Sequence, residues 1–350
     1  MTFLTEKDRS PAMKTSITSQ SLSGDLAEKL GAAAAAGFVG IELSEQDLRS
    51  FGGPLSDLGR IVREHGLDVT SISVDVSYEG MPDVLRQRAL DVINRRLDQV
   101  AELGCGLVKL GACTDPAALG GVDRMAADLN LLGERAVSRG LRIGYQTLAW
   151  GRHVADLRDA WEVVRRTSLP AIGLVLDSFH TLVRGSSPEI IRAIPGDRIF
   201  HVQICDSPAI GLDLPYLARH FRCLPGEGDL PLIAFLRAVA ASGYEGWLGS
   251  DTSVNRSRSG PRSTARDAQR ALRFLADRAG QAEQSDWLRP VPLPPPAVIG
   301  GVAFVEFAAD HAEAQTLGKL LAQMGFAHVG QHVSKDVSLW RQSDINIVIN

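Results

Sequence analysis

Residues Thr15–Leu30 read TSITSQSLSGDLAEKL: a short β-branched run, a polar turn, then the start of an amphipathic helix. A doubly wound dinucleotide-binding sheet would place G-x-G-x-x-G between that first strand and helix, because glycines there let the backbone approach a pyrophosphate. Gly24 is the one glycine in the stretch. Working outward, the strand–turn–helix unit repeats. Strands are predicted at Thr15–Thr18, Val39–Leu43, Val69–Val74, Leu107–Leu110, Arg142–Tyr145, Ile172–Leu176, Ile199–Val202 and Trp247–Ser250. Between them, Asp25–Ala36, Leu85–Leu103, Val122–Ser138, Val154–Arg166 and Leu232–Ala241 carry apolar residues at spacings of three and four, the helical period. Ser23 is a start signal for the first helix, and Gly104 and Gly140 are stop signals. Eight strands alternating with helices over roughly 250 residues predict a (β/α)8 TIM barrel.

The predicted organisation is a flexible leader (residues 1–12), the barrel (13–283), a stiff Pro-rich linker (284–298) containing RPVPLPPPAV, and a last segment (299–350) reading strand, helix, strand, strand. That last segment is too short for a comfortable core of its own and reads as part of a larger module.

Hydrophobic residues make up 45% of the 350 and charged residues 22%, enough apolar material for a full core, which excludes a disordered chain. A net charge of −4 without a basic run gives no footprint for nucleic acid. Cys105, Cys113, Cys205 and Cys223 are scattered without C-x-x-C, which argues against a disulfide framework and for a reducing compartment. The most apolar stretch, GAAAAAGFVGIEL (31–43), holds three glycines and Glu42 and is too short for a membrane span. A cytoplasmic protein is expected, with no membrane partner and with a homo-oligomer left open.

In a barrel the chemistry sits at the C-terminal ends of the strands. Those ends carry Gln146, Asp177, Gln203 and Asp251 on four adjacent strands. Two carboxylates and two amide oxygens converging on one point suit a hard divalent ion, Mg²⁺ or Mn²⁺, better than zinc. A polar barrel mouth without a metal explains the same four residues. His180, three residues past Asp177, and His153, after the fifth strand, are placed to carry a proton. His201 points to the same face as Gln203 but deeper, as an interior histidine. Arg219, His220 and Arg222 form a basic cluster suited to a small anionic substrate, with a solvated loop as the alternative. Lys109 is either an interior base or a lysine reaching solvent.

Taken together, GYQTLAWGRHV, GLVLDSFH, IPGDRIFHVQICD and RHFRCLPGEGDLP resemble the sugar phosphate isomerase/epimerase-like (xylose-isomerase-type) barrels. Within them the chain is similar to bacterial 3-dehydroshikimate dehydratases fused to a 4-hydroxyphenylpyruvate dioxygenase-like module. The barrel resemblance runs from Met13 to about Gly280. Gly300–Asn350, with SLWRQSDINIVIN, resembles the opening of that vicinal-oxygen-chelate module, giving a partial βαββ segment whose iron ligands lie mostly further downstream. The resemblance implies a divalent metal and dehydration of 3-dehydroshikimate, a small cyclic anion, to protocatechuate. It also implies metal ligands Glu, Asp, Gln and Glu at the four strand ends. Asp177 and Gln203 match; Gln146 and Asp251 stand where the family has glutamates. The first change removes a negative charge and the second shortens the reach by a methylene. Val76 replaces a common arginine, and LGACTDP lacks the usual Ser-Asn pair. Glu42, Glu45, Asp47, His153, His180 and the RHFR cluster fit. Three readings follow: a dehydratase, a sugar or cyclitol isomerase/epimerase using the same enolisation, and a catalytically degenerate barrel that binds without turnover.

Overall fold

Eight parallel strands close into a barrel in the computed structural model, which describes residues 13–252, 260–281, 285, 287–288, 293 and 298–350. The expected leader and most of the expected linker lie outside the described residues. In chain order the barrel runs β1 (Thr15–Thr18), α1 (Leu26–Ala35), β2 (Gly40–Leu43), α2 (Glu45–Ser50), α3 (Leu55–Glu64), β3 (Asp68–Val74), α4 (Asp83–Leu103), β4 (Leu107–Gly111), α5 (Val122–Val137), β5 (Arg142–Gln146), α6 (Leu157–Arg165), β6 (Ile172–Asp177), α7 (Ser178–Leu182), β7 (Ile199–Ile204), α8 (Leu214–His220), α9 (Leu232–Ala241), β8 (Leu248–Ser250) and α10 (Pro261–Gly280). All eight predicted strands are present, with ends shifted by no more than two residues. Every residue of β1, β2, β6 and β7 is buried, because helices cover the sheet outside and side chains fill it inside.

Local chemistry sets the helix ends. Asp25, rather than the expected Ser23, caps α1: its carboxylate accepts from Glu28 N–H and the Glu28 side chain returns the bond to Asp25 N–H. That reciprocal pairing of the Asp25 and Glu28 carboxylates with each other's N–H needs the acid immediately before the helix. Gly104 ends α4 at φ +79°, a conformation that suits glycine. α6 buries Leu157, Ala160, Val163 and Val164, one stripe at helical spacing.

The described residues divide into two compact units at Leu293/Pro294. The second unit contains β9 (Val305–Phe307), α11 (His311–Gln323), β10 (Ala327–Gln331), β11 (Ser338–Gln342) and β12 (Ile345–Ile349) in the sheet order β10-β11-β12-β9. It packs a small core of Leu321, Phe326 and Ile349. It has one strand more than the expected βαββ, since β10 and β11 both precede β12; Ser343 and Asp344 turn β11 back into β12, with Gln342 paired to Ile345. Ser343 takes φ +50° to make that turn, a backbone state no proline or glycine advertised in the sequence.

Candidate active site

Alternation along the strands aims every second side chain into the barrel. At the C-terminal end this brings Glu42 (β2), Ser71 and Ser73 (β3), Lys109 (β4), Gln146 (β5), Asp177 (β6) and Gln203 (β7) together with Asp251, just past β8. Asp177 and Gln203 are register partners. One level deeper on β7, His201 is buried as expected. Its depth is possible because β8 offers Gly249, where a Cβ would lie 2.8 Å from His201 Nε2 and 3.0 Å from Ser16 Oγ.

Two cations of the chain organise these oxygens. Lys109 Nζ donates to Glu42 Oε1 at 2.7 Å and to Gln203 Oε1 at 3.0 Å. Glu42 also accepts from Ser73 Oγ on that oxygen, and from Ser71 Oγ and Gln203 Nε2 on the other, so both its oxygens are engaged. Gln146 Nε2 reaches Gln203 Oε1 at 3.3 Å. Arg222, from the loop after α8, places Nη1 at 2.8 Å from Asp177 Oδ2 and 3.0 Å from Asp251 Oδ2. Asp177 spends its other oxygen capping α7 through His180 N–H. A cavity of about 200 Å³ opens on this cluster. Its lining includes Glu42, Ser73, Lys109, Gln146, His180 and Asp251, and Lys109 is its one lysine or arginine among the described residues.

The electrostatics follow from burial and pairing. Burial alone would raise Glu42, but the Lys109 charge and its hydrogen bonds hold that carboxyl below its ordinary value. Asp177 is likewise held low: burial would raise it, but Arg222, His180 and their hydrogen bonds together outweigh burial. Asp251, whose side chain keeps 23% of its exposure, is pushed up by burial more than Arg222 and Lys109 pull it down. Burial would lower Lys109, but Glu42 and then Asp251 attract its proton and keep it an ammonium. His201 is lowered to about 4, chiefly by burial.

His180, expected to carry a proton, lines the cavity. Burial lowers it to about 3, with Arg222 and Lys109 repelling a second charge. Ala149 N–H and Arg222 Nη2 face its two ring nitrogens, each at 3.1 Å, and a neutral imidazole can accept from only one of them. Neither arrangement leaves room for another proton, so His180 fits a holding role between Asp177 and Arg222. His153 bonds the Ala118 carbonyl at 2.9 Å and is not among the cavity's lining residues. The basic cluster splits. Arg222 is buried in the site, whereas Arg219 and His220 are exposed at the end of α8, His220 against the Tyr216 ring. Lys109 does not reach solvent. Glu42 and Lys109 are the two site residues whose pairing the sequence did not reveal, since they lie 67 positions apart. Of the other acids the resemblance accommodated, Asp47 anchors Lys29 and two serines, and Glu45 pairs with Arg49.

The four expected ligands converge, but as arranged they do not fit a dication. A metal at about 2.1 Å from Gln203 Oε1, a normal Mg²⁺ distance, could be no further than about 5 Å from Lys109 Nζ. At an effective dielectric near 20 the lysine by itself would repel it by about 7 kcal/mol, before the attraction of the carboxylates is counted. Glu42, Asp177 and Asp251 share two permanent cations and Gln146 adds no charge, although Asp75 also lines the cavity.

Residues 30–278 match the family of xylose isomerase-like TIM barrels, and residues 294–350 match the N-terminal segment of hydroxyphenylpyruvate dioxygenase. The chain is 42% identical over 344 residues to a 3-dehydroshikimate dehydratase of Pseudomonas putida, across 97% of this chain and 54% of that protein. It thus spans about half the length of the curated relatives it matches so closely. A solved xylose isomerase-like TIM barrel/4-hydroxyphenylpyruvate dioxygenase fusion protein is also 42% identical, with a TM-score of 0.86 over 97% of this chain and 55% of that one. The IolI protein, solved with a bound zinc atom, shares the fold at 19% identity and a TM-score of 0.69, over 78% of this chain and all of that one. No described helix is long and apolar enough to cross a membrane. With its closed eight-stranded barrel and a match over most of its length, this chain belongs to the xylose isomerase-like TIM barrel family.

Proposed function

We propose that the chain is a lyase that removes water from 3-dehydroshikimate to give protocatechuate. The observation that carries the reading is one small polar cavity lined by a partly exposed carboxylate, Asp251, and a buried ammonium, Lys109. The identity to 3-dehydroshikimate dehydratases over nearly the whole chain supports the choice of substrate.

Asp251 takes the proton from the ring carbon next to the ketone, and the electron pair moves onto the ketone oxygen. The carbon–oxygen bond of the neighbouring hydroxyl then breaks, and that hydroxyl leaves as water with the proton Asp251 had taken. A further proton shift within the ring gives the aromatic diol. One water is lost, and no oxidant or reductant is needed. An upward-shifted carboxyl is the better base. Glu42 is less suited, because four hydrogen bonds occupy its oxygens. His180 and Arg222 position Asp177 and Asp251, while Gln146 and Ser73 offer polar contacts to ring hydroxyls. The Mg²⁺ or Mn²⁺ expected from the strand-end residues has no step in this scheme.

Protocatechuate formation followed by absorbance tests the reading. The full chain should form it, and Asp251→Asn should lower kcat by about 10²–10⁴. An unchanged rate in that variant would place the base elsewhere. If the wild type forms no protocatechuate but interconverts sugar or cyclitol ketones, the isomerase/epimerase reading replaces this one.

A further inference from the structure

We propose that Lys109 does in this barrel what a divalent metal does in other barrels of the fold: it receives the ligand's developing oxyanion. The identity of that ligand rests on the dehydratase reading above, whereas the replacement of the metal does not.

Three observations support the inference. The first is position: Lys109 is the single cationic side chain lining the cavity among the described residues, and from β4 its Nζ reaches the strand-end donor Gln203 Oε1 at 3.0 Å. The second is valence. An ammonium has three N–H donors in a roughly tetrahedral set. Glu42 and Gln203 take two, so the third is available to an oxygen in the cavity that Lys109 lines. The third is matched charge. Gln146 removes a carboxylate from the strand-end set, and Lys109 adds a positive charge beside it. Gln146 Nε2 then donates to Gln203 Oε1, the oxygen that also accepts from Lys109. A glutamate at 146 would bring an acceptor to face that oxygen. Arg222 meanwhile occupies the facing oxygens of Asp177 and Asp251. Gln203 Oε1 is therefore held by Lys109 and the Gln146 amide N–H, and one oxygen each of Asp177 and Asp251 is held by Arg222. An ammonium fixed by two partners needs no reorganisation when the ketone oxygen gains charge, which is the condition for stabilising an enolate.

The test uses the full chain and begins with metal. Elemental analysis of the purified protein should find Mg²⁺, Mn²⁺ and Zn²⁺ far below stoichiometric amounts. Millimolar Mn²⁺ or EDTA should leave Tm unchanged. The variant Lys109→Met/Gln146→Glu, which restores an acid and removes the cation, should gain stoichiometric Mn²⁺ binding. A wild type that binds stoichiometric metal and gains Tm with it overturns the proposal. The second measurement is calorimetric binding of protocatechuate in EDTA. Wild type should bind, and the charge-balanced variant Glu42→Gln/Lys109→Met, which avoids leaving a buried charge alone, should bind roughly tenfold or more weakly. Equal binding by that variant removes Lys109 from the ligand contact. Binding abolished by EDTA and restored by Mn²⁺ overturns the metal replacement while sparing the dehydratase reading. Absence of binding with or without Mn²⁺ overturns the dehydratase reading and the lysine contact, and the metal analysis alone then decides whether the cations have displaced the metal.

Discussion

Lys109→Met should cost this barrel several kilocalories of stability, and most of the loss should return when Glu42→Gln is added. The two side chains retain 9% and 8% of their exposure, and their charged atoms are 2.7 Å apart. Removing the cation leaves a buried carboxylate with only neutral donors, Ser71, Ser73 and Gln203. Breaking such a pair from one side costs about 3–5 kcal/mol, whereas replacing both partners with neutral groups is often nearly neutral. For a barrel of this size the unfolding entropy converts that loss to a Tm drop of about 5–9 °C. The assay is thermal unfolding of wild type, both single variants and the double variant by circular dichroism at neutral pH, read as a double-mutant cycle. A single variant within a degree of wild type, or a double variant no more stable than Lys109→Met, would show that the pair is not a buried, coupled unit.

Two further outcomes follow from other buried groups. Glu79 accepts from the Cys113 N–H and the Tyr145 hydroxyl, but burial dominates and raises its carboxyl from 4.5 to about 7. A raised folded value means its contribution is intact below the unfolded value of 4.5 and is lost as pH climbs through about 7, a loss of about 3 kcal/mol. Urea midpoints at pH 5 and 8 should show that slope in wild type and a flatter one in Glu79→Gln; equal slopes would argue against the assignment. Second, because burial and then Arg222 and Lys109 hold His180 neutral, Arg222→Gln should move its titration upward from about 3. NMR titration of the ring proton reads this directly, and an unmoved resonance would remove Arg222 as a cause.

The barrel was legible because its signal is local. A strand such as Ile172–Asp177 and a helix such as Leu157–Arg165 each declare themselves within ten residues, and eight repeats leave little choice of fold. The strand-end residues Gln146, Asp177, Gln203 and Asp251 were legible for the same reason, position on a strand. What those residues do together was not. Whether Asp177 faces a metal or a guanidinium depends on Arg222, 45 positions away, and the state of Gln203 depends on Lys109, 94 positions away. In sequence Arg222 belonged with Arg219 and His220, yet it folds inward while they stay outside. His180 shows the converse: its spacing from Asp177 suits a base, but burial beside two cations, which no spacing reveals, denies it the second proton.

The proposed dehydration by the barrel's own side chains needs no added metal. The most direct test is the time course of protocatechuate formation from 3-dehydroshikimate by chelator-treated full chain, with and without added Mn²⁺. The expected result is turnover that chelation does not diminish and Mn²⁺ does not increase. Turnover that appears only after Mn²⁺ is added, or no turnover under either condition, would contradict it.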